Sequence, residues 1–470
     1  MAFFNLSNGT DQYMQVPILF NTDSIFDLIT GELKRGVDGK LYINGGLSAS
    51  LSGVLAPPNQ YKSTFTLSLM ARIAALYQQQ VAIFDSEASI GRWEDRIIRT
   101  AGNHSDLIVP EQFLKFDAST EYDIAEIDKK LKEFGEMKKA HEKELTITTP
   151  FLDTRTGKAA KTWVPTLIIL DSLSEMYAKE EEEMLDGKQG LDDSKNKTVY
   201  MKDANAKTTF LRKIRRMAIE YGFIITATAH YGKQLNLDSY GPQPKLIQFM
   251  KQGYAPKNVG SKFLFYTSPQ LFIDSCRVLQ DDAKECWYKI SGSHNKVDIN
   301  EIAVQIQRCK NAPAGTTHPY IVSQENGLLT DVSDYNYLKN CKSCWLEGNN
   351  ITQHCVFTPK TSLTRNTMRD ICQKDPREVR ALQLAAQLTY VSSIWNDEVL
   401  KTNFGVSVAV KPGELMDWLS SDKNKYTIDR VLESRGYWLP KELEADKSIP
   451  QKEYLSIFDV LEEFRKSTGK

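Results

Sequence analysis

Apolar and polar positions change period along this chain, so that strand-like and helix-like stretches alternate. From 64 to 79, Phe65, Leu67, Leu69, Ile73 and Leu76 fall at helical spacing, which predicts a helix with one face on a sheet. Two short apolar runs flank it, 51–55 and 81–84, and both read as buried strands. The strongest run is Thr166-Leu167-Ile168-Ile169-Leu170, apolar almost throughout, as a parallel strand covered on both faces should be. Two more strands are expected at 223–228 and 302–307, the first after a helix at 206–221. Strands and helices in this order predict an α/β fold, a twisted and mostly parallel sheet flanked by helices.

Other stretches read as additions to that sheet. Residues 1–40 form a short entry or oligomerisation module, with an edge strand at 13–20 and a capped helical turn at 24–29 that ends at Gly31. The core then covers 41–335. It is interrupted at 121–164 by a charged, solvated helix (121–144) and a hairpin (147–164) turning near Gly157. A stretch from 178 to 205 mixes Glu180, Glu181, Glu182 and Glu183 with Lys188, Lys195, Lys197 and Lys202, the pattern of a mobile solvated loop. Residues 336–470 make a mainly helical C-terminal region.

Composition narrows the class of protein. Of the 470 residues 41% are hydrophobic and 25% charged, an ordinary globular balance. No apolar run is long enough for a membrane span, and the N-terminus lacks the pattern of a signal peptide, so a cytoplasmic protein with no membrane partner is expected. Seven cysteines without a regular framework fit a reducing compartment. Cys341, Cys344, His354 and Cys355 have the residue types of a zinc site, but their irregular spacing favours free thiols. Net charge is −1, so any nucleic-acid contact must come from local patches rather than bulk charge.

Chemistry concentrates at the strand ends. Between the strand at 51–55 and the helix at 64–79 lies Ala56-Pro57-Pro58-Asn59-Gln60-Tyr61-Lys62-Ser63, followed by Thr64. This has the length and Lys-Ser ending of a phosphate-binding loop, in which backbone N–H groups and a helix dipole converge on an anion. Residues 57–64 are the candidate nucleotide contacts, with Lys62 on the β/γ-phosphates of ATP and Ser63 on Mg²⁺. Ala56 and Tyr61 stand where such loops carry glycine. Glu87, just past the strand at 81–84, is placed to polarise an attacking water, and Asp171, ending the strand at 166–170, to hold the Mg²⁺ shell. His230 follows the strand at 223–228 and can feel the γ-phosphate. Arg308 and Lys310, at i and i+2, can reach a phosphate on a neighbouring subunit, which implies an oligomer. Arg92 or Trp93 is a candidate for adenine stacking. From 231 to 262 five lysines stand against the single acid Asp238, with aromatics interleaved. Lys233, Lys245, Lys251 and Lys257 with Tyr240, Phe249 and Tyr254 are the candidate contacts to single-stranded DNA, cations for the backbone and rings for the bases.

Taken in order, these motifs resemble the RecA-like recombinases, most closely the phage UvsX type. The resemblance runs over about residues 12–330 and rests on Gly45-Gly46 and the loop, Asp85-Ser86-Glu87, Leu170-Asp171-Ser172-Leu173, Thr228-Ala229-His230 and Arg308-Cys309-Lys310-Asn311. It implies a RecA-like ATPase core that uses ATP and Mg²⁺. It also implies a helical filament on single-stranded DNA, pairing with double-stranded DNA, strand exchange, and loader and single-strand-binding proteins as partners. If the chain is phage-encoded, it would act on DNA in the cytoplasm of a bacterial host. The phrase Lys310-Asn311-Ala312-Pro313-Ala314-Gly315-Thr316 is similar to DnaB-type replicative helicases, so a hexameric helicase stays open, as does a RecA-like recombination mediator. The 40 residues ahead of the core are too few for the N-terminal domain typical of such helicases, which favours the recombinase.

Overall fold

A strand covered on both faces must bury every side chain, and 167–170 does so. Leu167 and Ile169 join one apolar core while Ile168 and Leu170 join the other, on the opposite face. The computed structural model describes residues 17–87, 93–108, 110–116, 123–153, 156–177, 194–233, 245–260, 262–421, 424–447 and 451–469. At its centre is a sheet of ten strands. Leu51–Ala56 (β1), Val81–Asp85 (β2), Phe113–Phe116 (β3), Thr166–Asp171 (β4) and Phe223–Lys233 (β5) form its parallel half, in the order β1-β5-β4-β2-β3. Tyr254–Pro256 (β6) lies antiparallel on the last residues of β5. On the other side of β1, Gln270–Val278 (β7) is parallel to it, and Ile299–Arg308 (β8), Thr317–Ser323 (β9) and Gly327–Leu328 (β10) follow antiparallel.

One face of the sheet carries the helix Lys62–Tyr77 (α1), whose Phe65, Leu67, Ile73 and Leu76 are buried against it. The other carries Ile124–Ala140 (α2) and Ser194–Tyr221 (α3), joined by a 2.7 Å ion pair between Lys213 and Asp128 and by Tyr221, which donates to Glu136 at 3.1 Å. The C-terminal region is largely helical, including Thr330–Asn340 (α4), Pro376–Ile394 (α5) and Ile457–Thr468 (α6). It closes on the N-terminal segment through Trp438. The indole of Trp438 donates to the Leu19 carbonyl at 3.0 Å and packs against Phe20, Tyr77 and Phe151. Phe151 belongs to the hairpin formed by strands Thr146–Asp153 and Lys158–Trp163. A second hairpin, Glu32–Arg35 with Leu41–Asn44, straddles position 40. Among the described residues no helix is long and apolar enough to cross a membrane.

Several elements differ from the pattern-based expectation. The stretch read as a mobile loop at 178–205 is helical from Ser194, because α3 begins twelve residues before the expected start at 206. An i,i+4 ion pair between Asp203 and Lys207 at 2.9 Å supports that added length, and Phe210, Leu211, Ile214 and Ala218 anchor the helix on the sheet. Residues 178–193 lie outside the described residues. β5 runs on to Lys233 rather than ending at Thr228, because β6 supplies it with a partner. The edge strand expected at 13–20 is Leu19–Phe20, paired with Leu47–Ser48, and residues 13–16 lie outside the described set.

One buried group sets a pH dependence. His318, on β9, is enclosed by the rings of Tyr320, Tyr337 and Tyr390, and burial pushes its imidazole pKa down to about 3. Between the unfolded value of about 6.5 and the folded value of about 3, the unfolded chain binds the proton and the folded one does not, so stability falls with acid. Burial pushes Asp27 the opposite way, to about 7, and its contribution grows as pH falls from 7 toward 4. His318→Phe is therefore expected to flatten only the acid loss. Urea unfolding at pH 7 and pH 5 should show the wild type losing about 1–2 kcal/mol more than the variant over that interval.

Candidate active site

The loop between β1 and α1 brings the positive end of a helix to the edge of the sheet. Lys62 is the first residue of α1, and Phe65 N donates to the Tyr61 carbonyl at 2.8 Å to close the first turn. Tyr61 provides no side-chain cap, which leaves the helix terminus suited to an anion. Asn59 and Tyr61 both have positive φ, 59° and 60°. That conformation is why loops of this kind carry glycine before the lysine, and a tyrosine there costs about 1–2 kcal/mol of backbone strain. The Tyr61 ring is half-buried against the core, which holds the conformation in place. Pro57 and Gln60 are half-buried, and Pro58 and Asn59 exposed. The buried Oε1 of Gln60 has no hydrogen-bond partner, an orphaned acceptor inside the loop.

Parallel register then lines up the acids. Leu167 to Asp171 on β4 pair in register with Val81 to Asp85 on β2, so Asp171 sits beside Asp85, and Glu87 two residues farther on lies at the same edge. Lys62 is 5% exposed, and its ammonium donates to both oxygens of Glu87, at 2.8 and 3.0 Å. His230 Nε2 lies 3.2 Å from Glu87 Oε1 and 3.4 Å from Glu175 Oε1. Its Nδ1 is buried with no partner. Asp171 is fully buried; burial raises its pKa, while hydrogen bonds from Thr228 and Ser63 and the charge of Lys62 pull it back down. The Thr228 hydroxyl donates to Asp171 Oδ1 at 2.5 Å. Four of the residues singled out by sequence, Lys62, Glu87, Asp171 and His230, thus converge, with Ser63 on Asp171.

Sequence pattern named Thr228 only within the Thr228-Ala229-His230 motif, with no role of its own, and missed Ser174 and Glu175. Strand alternation places Thr228 on the face of His230, two residues away, which was a usable signal. Ser174 and Glu175 follow β4 in a turn that carries no periodicity. Ser174 Oγ accepts from His230 N at 2.9 Å and donates to the Lys257 carbonyl at 2.8 Å, and Lys257 N donates to the His230 carbonyl at 2.8 Å. The site is therefore tied by hydrogen bonds to the segment that follows β6.

Other candidates lie elsewhere. Arg308 pairs with Gln270, which pairs with Gly53 in mid-β1, and β8 runs antiparallel to β1. The chain beyond Arg308 therefore leads toward the edge opposite the Lys62 loop. The Arg308 guanidinium donates to the carbonyls of Leu264 at 3.1 Å, Thr267 at 3.4 Å and Phe265, so it serves its own chain at the end of the helix Phe263–Tyr266. Lys310 falls in the bend past β8 and not on the strand face expected from i,i+2 spacing. There, burial and then the charges of Arg215 and Arg308 hold its ammonium below the usual lysine range.

Two of the aromatic candidates for base stacking, Phe249 and Tyr254, are half-buried. Tyr254 stacks on Tyr231 with centroids 5.4 Å apart and carries the Lys251 ammonium 4.8 Å from its ring. Phe249 packs so closely under Gly315 that a Cβ there would come within 2.5 Å of its ring. β6 pairing with β5 lays Tyr254 on Tyr231. Lys257 is likewise engaged, with the Lys233 carbonyl. Lys233, Lys245 and Lys251 are exposed. Tyr240, Arg92 and the Trp93 side chain lie outside the described residues. Cys341 and Cys344 are exposed, Cys355 is buried with its thiol pushed up to about 12 by burial, and His354 Nδ1 donates to the Thr361 carbonyl at 3.0 Å. Among the described residues no cluster of three metal-binding side chains occurs.

No protein-family model matches the chain, and no curated protein matches it in sequence. Among solved structures it is similar to a DnaB-like replicative helicase, described with its interactions with primase, at 15% identity over 61% of this chain with a TM-score of 0.34. The match spans 60% of that helicase chain. It is also similar to the RadB recombinase, at 14% identity over 61% of this chain and 92% of that one, with a TM-score of 0.32.

Proposed function

We propose that this protein is an ATP-dependent DNA recombinase with a RecA-like core, which forms filaments on single-stranded DNA and promotes pairing and strand exchange. The observation that carries the ATPase part is the Lys62–Glu87–His230 constellation beside Asp171 at one sheet edge. The residues fit the nucleotide and its metal. Ser63 and Asp171 are adjacent hard-oxygen donors suited to Mg²⁺, and the helix terminus with no side-chain cap suits a polyphosphate. Bound there, ATP would supply the phosphoanhydride and Mg²⁺ the charge neutralisation. Lys62 exchanges its ion pair with Glu87 for phosphate oxygens, which frees Glu87 to polarise water. His230 holds Glu87 from the side, and Glu175 offers it a second acceptor when Glu87 turns to the water. Lys310 is the cation proposed to act on a neighbouring subunit, while Arg308 secures the strand end.

The DNA-binding part rests on the exposed lysines near β6 and on the hydrogen-bond link through Ser174 and Lys257. Lys245→Ala/Lys251→Ala is expected to weaken single-strand binding and to lower the log–log salt slope by about 0.7 per lost contact, read from affinities at 50–200 mM salt. Basal ATP turnover should persist. Negative-stain images with ATP and single-stranded DNA test the assembly: helical filaments are expected, and closed rings or no assembly would overturn the recombinase reading.

A further inference from the structure

Between β7 and β8 the chain makes a long excursion, 279–298, that folds back on itself. Leu279 N donates to the Ile299 carbonyl at 2.9 Å and Trp287 N to the Leu279 carbonyl at 3.0 Å. The C-terminal region clamps it from the other side. Arg365 pairs with Asp281 at 3.0 Å and covers the Trp287 ring at 4.8 Å, and Ser291 N donates to Asp370 at 3.0 Å. Between the two lies a cavity of about 100 Å³, whose lining includes Arg369, Lys289, Lys296, His294, Glu285 and Asp298. A water needs only about 10–15 Å³ of such space, so the cavity has room for several waters or one tetrahedral oxyanion.

One buried cation is part of this lining. Arg369 is 3% exposed, and its Nη1 donates to the Tyr288 carbonyl at 3.1 Å and to Asp298 Oδ2 at 3.2 Å. Its Nη2 is buried and makes no hydrogen bond. A buried guanidinium nitrogen is rarely left so, because its desolvation goes uncompensated. The local acids are already committed. Asp298 Oδ1 accepts from Ser323 at 2.6 Å and from Glu325 N at 3.3 Å, and Glu285 pairs with Lys296 at 2.5 Å and Lys289 at 3.9 Å. Three cations against two carboxylates leave the cavity one positive charge in excess. A planar guanidinium edge flanked by lysines recognises phosphate oxygens.

We propose that this cavity binds one phosphate group, held by Arg369 Nη2 with Lys289 and Lys296. The site lies apart from the Lys62 loop and does not depend on the function assigned to that loop. Its test is a calorimetric titration with inorganic phosphate at constant ionic strength, in a Lys62→Ala background so that the loop does not contribute. One phosphate per chain is expected, and Lys289→Ala/Lys296→Ala should weaken it at least tenfold. Those two lysines are not part of the core, so the variant should keep the parent's thermal midpoint. Arg369→Lys keeps a charge opposite Asp298 while removing Nη2, and should also lose the binding. A short single-stranded oligonucleotide that displaces the phosphate would assign the site to a nucleic-acid backbone; failure to displace it, with phosphate still bound, would assign it to a free phosphate. Non-saturable binding, or an affinity unchanged in both variants, would overturn the proposal and leave a water as the partner of Nη2.

Discussion

Lys62→Ala is expected to abolish ATP turnover and to weaken Mg-ATP binding by roughly ten- to a hundredfold, the loss of a charged hydrogen-bonding group worth about 1.5–3 kcal/mol. The lysine opens α1, is 5% exposed, and its ammonium is aimed at the strand edge where Glu87 and Asp171 meet. Burial of a flexible four-carbon stem for one ion pair at a surface edge makes sense if the ammonium has a second anionic partner. Alanine is well tolerated at a helix start, so the fold should survive, and circular dichroism checks that it does. Equilibrium binding of a fluorescent ATP analogue and a phosphate-release assay read the two effects separately. Wild-type turnover in a folded Lys62→Ala protein would remove the loop from the chemistry.

Glu87→Gln has the second large effect, and it falls on the rate and not on binding. The amide keeps an oxygen that can accept from Lys62 and His230, so the constellation should hold its shape, but the amide cannot act as a base. A general base contributes about 10²- to 10⁴-fold, and the loss in kcat should lie in that range with nucleotide affinity retained. Loss of affinity with kcat preserved would instead assign Glu87 a purely structural role as the counter-ion of Lys62. Glu175→Gln should have a smaller effect, because Glu175 touches only His230 among these residues.

What the chain revealed in advance follows from where the information is local. The helix α1 and the Lys-Ser ending are written in adjacent residues, as are the strand ends that place Glu87, Asp171 and His230. Contacts that depend on register across strands are not. Thr228 reaches Asp171 only because β4 and β5 lie side by side in parallel register, and Glu175 reaches His230 only because the turn after β4 folds over β5. Tyr254 reads as a free stacking ring until β6 pairs with β5 and lays it on Tyr231. β7 was illegible for a different reason: only its first half, Gln270 to Ile273, is buried, so the run Asp274 to Val278 breaks the apolar pattern. The length of α3 depends on an ion pair and on packing over α2, neither of which a polar composition reports.

The hydrogen-bond chain from His230 through Ser174 to Lys257 joins the sheet edge that carries Lys62 and Glu87 to the segment after β6.

Amide hydrogen exchange of the wild-type protein, with and without a non-hydrolysable ATP analogue and Mg²⁺, locates the nucleotide. The expected result is slowed exchange across residues 59–64, where backbone N–H groups of the loop would be covered. Unchanged exchange in those residues at saturating analogue, with protection only elsewhere, would contradict the assignment of the Lys62 loop as the ATP site.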